Sequence, residues 1–233
     1  MRLSTVTEES LRVYDIAYEA LVPQRIEETQ PVFRGYILAL SGPSGVGKST
    51  ISRLLLGMCA DYTAPVPILT TRGEKKGDES EYHYVTKADF GKMREKGAIV
   101  AMTHIPSRSE ERWYGYRASD IEAIWKEGKL PVVITEMHLL QGLSEHFGRR
   151  SILSFGLLPP GRSKRAMLSH LLHRLRTRGR DTEEHIQDRL KNAESDLAFF
   201  KERKDLFDHL IVNKDLDAVI EAVKRKVPGL AEA

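Results

Sequence analysis

Residues Tyr36 to Thr50, YILALSGPSGVGKST, decide how the rest of the chain is read. An apolar run, Tyr36 to Leu40, has the character of a buried strand. It breaks into Gly42-Pro43-Ser44-Gly45-Val46-Gly47-Lys48-Ser49-Thr50, after which Ile51, Leu54, Leu55 and Met58 recur at helical spacing. Strand, G-x-x-x-x-G-K-[ST] and helix in that order form a phosphate-binding loop. Its glycines let successive backbone N–H groups turn inward on phosphate oxygens, and the following helix presents its positive end to the same anion. Lys48 can reach the β- and γ-phosphates of a nucleoside triphosphate, and the Ser49 hydroxyl can ligate Mg²⁺. The run from Gly42 to Thr50 is therefore the candidate nucleoside triphosphate site.

The totals bound what surrounds the loop. A chain of 233 residues with 41% apolar and 30% charged residues fits one large soluble domain with inserted lobes. The N-terminal MRLSTVTEES has neither the basic nor the apolar region of a signal peptide, and no apolar run reaches membrane-spanning length, so the expectation is a cytoplasmic protein without a membrane partner. A single cysteine, Cys59, excludes an intrachain disulfide and reads as a small core residue. The net charge of +3 gives no reason to expect nucleic acid. The cations cluster nonetheless between His170 and Arg180, which is a solvated helix face, a nucleic-acid patch, or a set of arginines that folds over a triphosphate.

Taken in order, residues 1–34 form an extension with an amphipathic helix from Thr7 to about Pro23. It reads as a packing arm, an oligomer contact or a helix lying on its own domain. Beyond the loop helix, Pro65 and Pro67 precede Ile68-Leu69 and the polar, cationic stretch TTRGEKKGDESEYHYV. Tyr82 and Tyr84 alternate there as in a strand. A helix is expected from Lys87 to Lys96, a strand from Ala98 to Met102, and a helix capped by Ser119-Asp120 and ending near Lys126. Leu130 to Thr135, Ser151 to Leu157 and His209 to Asn213 read as buried strands. Helices are expected over His138 to Phe147, Ser163 to Thr177, Thr182 to about Glu202, and Leu216 to Val227, with Gly179 breaking the second from the third. Continuous apolar strands alternating with helices imply an α/β fold around a parallel sheet covered on both faces.

SGPSGVGKST, TTR, WYG, RGRDTEEHIQDRL and FDHLIVNKDLD stand in an order and at a spacing that resemble the guanylate kinase family, over roughly residues 35 to 227. The resemblance implies a three-layer P-loop NTPase fold with three parts: a core (35–65 and 128–233), a small acceptor-binding lobe (about 66–117) and a helical lid (about 174–195). It implies ATP- and Mg²⁺-dependent phosphoryl transfer to a nucleoside monophosphate, GMP or dGMP first. Under it, Arg72 binds the acceptor phosphate, Lys75 stands where the family has a second phosphate-binding arginine, and the Tyr82 and Tyr114 hydroxyls contact the same phosphate. Arg174, Arg178 and Arg189 match lid arginines that close over the ATP phosphates, and Asn213 matches an asparagine near the adenine. With Lys48 and Arg72, these arginines make up the catalytic set. Phosphoryl transfer asks for this division of labour independently, since it needs two phosphates aligned and neutralised rather than covalent chemistry.

The sequence departs from the family where the acceptor's base is read. The family has a serine where Ile68 or Leu69 stands, a glutamate near Ala101, and a D-x-D pair where this chain has Ile134-Thr135-Glu136. A site built to hydrogen-bond a base loses discrimination when such partners vanish. Glu110 or Glu111 is a candidate replacement carboxylate, and Thr103 and Thr135 are candidate hydroxyls. Glu136 keeps two readings: an acceptor-side residue holding Mg²⁺ through water, or a carboxylate favoured by a helix N-terminus. Three functions follow: a GMP or dGMP kinase; a kinase of the same fold acting on another phosphorylated acceptor such as ribose 1,5-bisphosphate, the substrate of a related branch; and a non-catalytic guanylate-kinase-like binding module. The partner expected is a small nucleotide or phosphorylated metabolite, and the chain is a monomer or a homodimer.

Overall fold

The computed structural model describes residues 35–74, 81–105, 111–179 and 181–230. The N-terminal helix, Lys75 and Glu110 lie outside the described residues. In chain order the first elements are β1 (Ile37–Ser41), α1 (Lys48–Met58), β2 (Thr63–Pro65), β3 (Ile68–Thr70), β4 (Tyr82–Tyr84), α2 (Lys87–Glu95), β5 (Ile99–Ile105) and β6 (Arg112–Arg117). They are followed by α3 (Ala118–Lys126), β7 (Leu130–Thr135), α4 (Met137–Phe147), β8 (Ile152–Leu158), α5 (Lys164–Arg178), α6 (Glu183–Glu202), β9 (His209–Val212) and α7 (Leu216–Lys226).

The continuously apolar runs become a five-stranded sheet in the order β2-β7-β1-β8-β9, every neighbouring pair parallel. Side chains alternate across a strand, so β1 must find apolar cover on both sides. Leu38 and Leu40 enter a core with Ile51 and Leu55 of α1 and Val219 and Val223 of α7. Ile37 and Ala39 enter a second core with Ile121 of α3 and Leu140 and Leu143 of α4. The result is three layers with the phosphate loop at the carboxyl end of the central strand, where open α/β sheets place their ligands.

A second sheet, β4-β3-β6-β5, is mixed: β3 and β4 run parallel, while β6 is antiparallel to both β3 and β5. The Trp113-Tyr114-Gly115-Tyr116 stretch, for which no strand was expected, belongs to the strand that organises this sheet. Its register pairs Thr70 with Tyr114, and that of β3 and β4 pairs Ile68 with Tyr82. The fully buried Tyr116 fastens this sheet to the core, its hydroxyl donating to Ile134 O at 2.7 Å and accepting from Ile134 N at 3.1 Å. Gly142 lets α4 close on β5, since a Cβ there would lie 2.9 Å from Ala101 Cα.

The cap of α3 differs from expectation. The helix starts at Ala118 directly from β6, so Arg117 is the N-cap, Ser119 falls inside the first turn, and Asp120 accepts from Arg117 Nε at 2.8 Å. No helix among the described residues is long and apolar enough to cross a membrane.

Candidate phosphoryl-transfer site

The phosphate loop needs its glycines for space as well as conformation. A Cβ on Gly42 would lie 2.5 Å from the carbonyl oxygen of Leu157, which is fixed in β8, and one on Gly47 would lie 2.6 Å from Asn213 Nδ2. Gly47 is also the N-cap of α1, at φ 112°, so no side chain occupies the first N–H groups of that helix and its first turn holds no acid. By contrast Ser163, Thr182 and Asp215 cap α5, α6 and α7 with their own oxygens. The open end of α1, free of both a capping oxygen and a first-turn acid, is available to an anion.

Lys48 is folded back on its own loop, donating from Nζ to Gly42 O at 2.5 Å and to Pro43 O at 3.2 Å. Burial lowers its pKa, against the opposing pull of the Asp196, Glu81 and Glu136 carboxylates. Ser49 and Thr50 are exposed at the start of α1, and Ser49 Oγ lies 3.4 Å from Glu81 Oε1. Glu136 is the N-cap of α4, accepting from Leu139 N at 2.9 Å through Oε1. The helix-terminal reading of Glu136 is thus realised in the geometry, while the residue also faces the cavity described below.

Behind the loop, the Val46 carbonyl is a junction. Asn213 Nδ2 donates to it at 2.7 Å and Arg174 Nη1 at 3.1 Å, while Arg174 Nη2 donates to Asn213 O at 2.8 Å. Arg174 and Asn213 therefore brace the loop from β9 and α5 and stand outside the cavity wall.

Across the cavity, Arg72 is buried with its guanidinium 4.3 Å from the centre of the Tyr82 ring. The Tyr82 and Tyr114 rings meet edge to face at 6.4 Å. Burial raises the Tyr114 pKa; Arg72, Arg112 and a hydrogen bond to Thr70 pull it the other way. The Tyr114 phenol thus stays a protonated donor near neutrality. Thr71 stitches the TTR segment to β6, with Thr71 N donating to Trp113 O at 3.1 Å and Thr71 Oγ1 accepting from Trp113 N at 3.0 Å.

These groups share one cavity of about 380 Å³. Of the residues expected from the sequence, Gly42, Ser44, Lys48, Arg72, Tyr82, Tyr114, Glu136 and Arg189 line it, whereas Arg178 does not. Residues the sequence reading missed also line it: Arg112 on β6, Asp181 between α5 and α6, and His185, Asp188, Asn192 and Asp196 on α6. A pattern was available for the α6 set. Ile186, Leu190, Ala193, Leu197 and Phe200 mark the apolar stripe of that helix, and the missed residues follow the same spacing of three and four along the stripe beside it. Glu111 does not replace the absent acid. It is on the surface, accepting from Lys87 Nζ at 3.0 Å, and is outside the cavity. The distal wall is instead apolar at Ile68, Ile105, Ile134 and Leu139, with Thr103 and Thr135 between them.

Asp196 is the most perturbed acid. Burial raises its pKa to about 6, with Glu136 raising it further and Lys48 holding it down. The folded state therefore binds this proton more tightly than the unfolded chain, and the native protein loses stability as pH rises from about 4 to about 6. Asp196→Asn is expected to melt higher than the parent at pH 8, by an amount on the order of 2 kcal/mol. The two proteins should converge near pH 4. Thermal melts across that range check this; a parallel offset at all pH values would refute the assignment.

Residues 34–228 match the family model described as guanylate kinase. The chain is 30% identical over 203 residues to a guanylate kinase of Rhizobium johnstonii, across 87% of this chain and 86% of that protein. It is 31% identical over 194 residues to one of Mesorhizobium japonicum, across 82% and 81%. The crystal structure of a guanylate kinase from Anaplasma phagocytophilum shares the fold, with a TM-score of 0.57 at 21% identity over 82% of this chain and 84% of that one. The family match takes in all the described elements, and the chain belongs to the guanylate kinase family of nucleoside monophosphate kinases.

Proposed function

We propose that this chain transfers the γ-phosphoryl group of ATP to a nucleoside monophosphate, with GMP and dGMP as the leading acceptors. One observation carries the reading. A phosphate loop with an uncapped helix end and a second cationic cluster, Arg72 with Tyr82 and Tyr114, line the same cavity from two different sheets. Two phosphates held by those two groups face each other, which is the geometry an in-line displacement requires.

In this reading an oxygen of the acceptor phosphate attacks the γ-phosphorus. The bond from that phosphorus to the β,γ-bridging oxygen breaks, and ADP leaves with the bonding pair. Lys48 swings from its carbonyl partners to the β- and γ-oxygens, and Arg189 covers them from the lid. Arg72, Tyr82 and Tyr114 hold the acceptor phosphate in line. Arg174 and Asn213 keep the loop's shape through Val46. The Ser49 hydroxyl beside Glu81, and the Glu136 oxygen not engaged by Leu139 N, are hard oxygen donors of the kind Mg²⁺ takes, so these residues fit the ion. Mg²⁺ bound there supplies neutralisation of the β- and γ-oxygens. In this reading the core, the acceptor lobe and the lid are the working parts.

The apolar distal wall favours a second reading. Ile68 and Ile134 offer a guanine N1–H and amino group no acceptor, which fits a different phosphorylated acceptor such as ribose 1,5-bisphosphate. ADP release measured with ATP, Mg²⁺ and GMP, dGMP, AMP, CMP, UMP or ribose 1,5-bisphosphate decides between them. The expected result is turnover with GMP or dGMP at least about tenfold above the other nucleotides. Preferred turnover of the bisphosphate would replace the first reading with the second, and silence with every acceptor would overturn both.

A further inference from the structure

Asp181 lies in the short connection between α5 and α6, beyond Gly179, which closes α5 in the left-handed conformation at φ 64°. It has no assigned duty, yet its side chain is 4% exposed, and a carboxylate so buried requires cationic partners. Among the described residues, two arginines supply them, one from each helix. Oδ2 accepts from Arg178 Nη2 at 2.8 Å, and Oδ1 lies 3.2 Å from Arg189 Nη2. The other arm of Arg189 donates from Nη1 to Ser44 Oγ in the phosphate loop at 2.6 Å. Both arms of that guanidinium are therefore committed, and its plane is fixed between the hinge acid and the loop. A planar fork held at two points keeps its direction where a single contact would let it turn.

We infer that Asp181 is a positioning residue for phosphoryl transfer, holding Arg178 and Arg189 as a pair so that Arg189 is aimed at the donor phosphates before they arrive. The inference rests on the phosphoryl-transfer reading above. Without the carboxylate the two guanidinium groups repel each other across the hinge, and Arg189 keeps only its contact with a mobile serine hydroxyl. Orientation is then lost where charge develops, and groups that orient a charged ligand from behind commonly matter about 10- to 100-fold. An ordinary tie between α5 and α6 would instead affect melting temperature and leave kinetics alone.

The test uses the full chain with Asp181→Asn, Asp181→Glu, Arg189→Ala and the Asp181→Asn/Arg189→Ala double variant. Steady-state rates are measured with ATP and the best acceptor, and affinity for a non-hydrolysable ATP analogue by titration calorimetry. Asp181→Asn is expected to lower kcat about 10- to 100-fold and to weaken the analogue, with the acceptor KM within about threefold of the parent. Asp181→Glu should recover part of the loss, and the double variant should be no slower than Arg189→Ala alone, because Asp181 acts through that arginine. A kcat for Asp181→Asn within twofold of the parent overturns the inference, as does a double variant whose losses multiply. If Asp181→Asn does not fold, Asp181→Glu carries the test: a fall in kcat and analogue affinity smaller than that of Arg189→Ala supports positioning, and a melting loss with kinetics equal to the parent overturns it. Should the parent turn over no acceptor, the transfer reading fails by itself, and the analogue affinities still decide Asp181: an unchanged value in Asp181→Asn overturns its role, and a loss absent from the Arg189→Ala background supports it.

Discussion

Lys48→Ala is expected to abolish phosphoryl transfer, by a factor of at least about 10³, while the protein stays folded. Lys48 is the one cation of the loop itself, and its Nζ rests on the carbonyls of Gly42 and Pro43 rather than on a carboxylate of its own. Burial disfavours its charged form in the absence of a bound anion, so the native state spends stability to keep an ammonium there. Truncating it removes two hydrogen bonds and relieves that desolvation, and the net change in stability should stay within about 1 kcal/mol. Rate and melting temperature should therefore separate cleanly. The coupled ADP-release assay and a thermal melt on the same preparation check this, and full activity in the variant would sink the assignment of the donor site.

How much of this was legible in advance depended on which residues answer to local rules. The core strands were legible because a parallel strand buried on both faces shows as an unbroken apolar run, as at Ile37–Ser41, Leu130–Thr135 and Ile152–Leu158. Helix ends announced themselves where a capping side chain is present, as with Ser163 and Thr182, and misled where α3 begins straight from a strand. The small sheet was harder. β3 and β4 are three residues each, and they are held by tertiary pairing, β3 with Arg112–Arg117 and β4 with β3, for which the sequence carries no period. Within the site, the loop and Arg72 were legible as motifs. Asp181 and Asp196 were not, since an acid in a turn or on a polar helix reads as solvated until its neighbours are known. Arg174 and Asn213 were found as positions, and their attachment to the Val46 carbonyl comes only from the fold.

Arg72→Ala should raise the acceptor KM about 100-fold and leave the ATP KM within about threefold. The guanidinium is buried and stacked on Tyr82, in a sheet separate from the one that carries the phosphate loop, so its loss cannot loosen the donor cradle directly. A buried cation paired with a phosphate contributes far more than one at the surface, and removing one partner commonly costs about 2–5 kcal/mol. Charge alone does not account for the residue. The Tyr82 face fixes the plane of the fork, and a fork can hold two phosphate oxygens at once, as an ammonium cannot. Arg72→Lys is thus expected to restore no more than about tenfold of the loss. Steady-state kinetics with each substrate varied against saturating concentrations of the other reads both constants. An equal rise in the two KM values would show that Arg72 acts on the closed site as a whole, and the division of the cavity into donor and acceptor halves would fall with it.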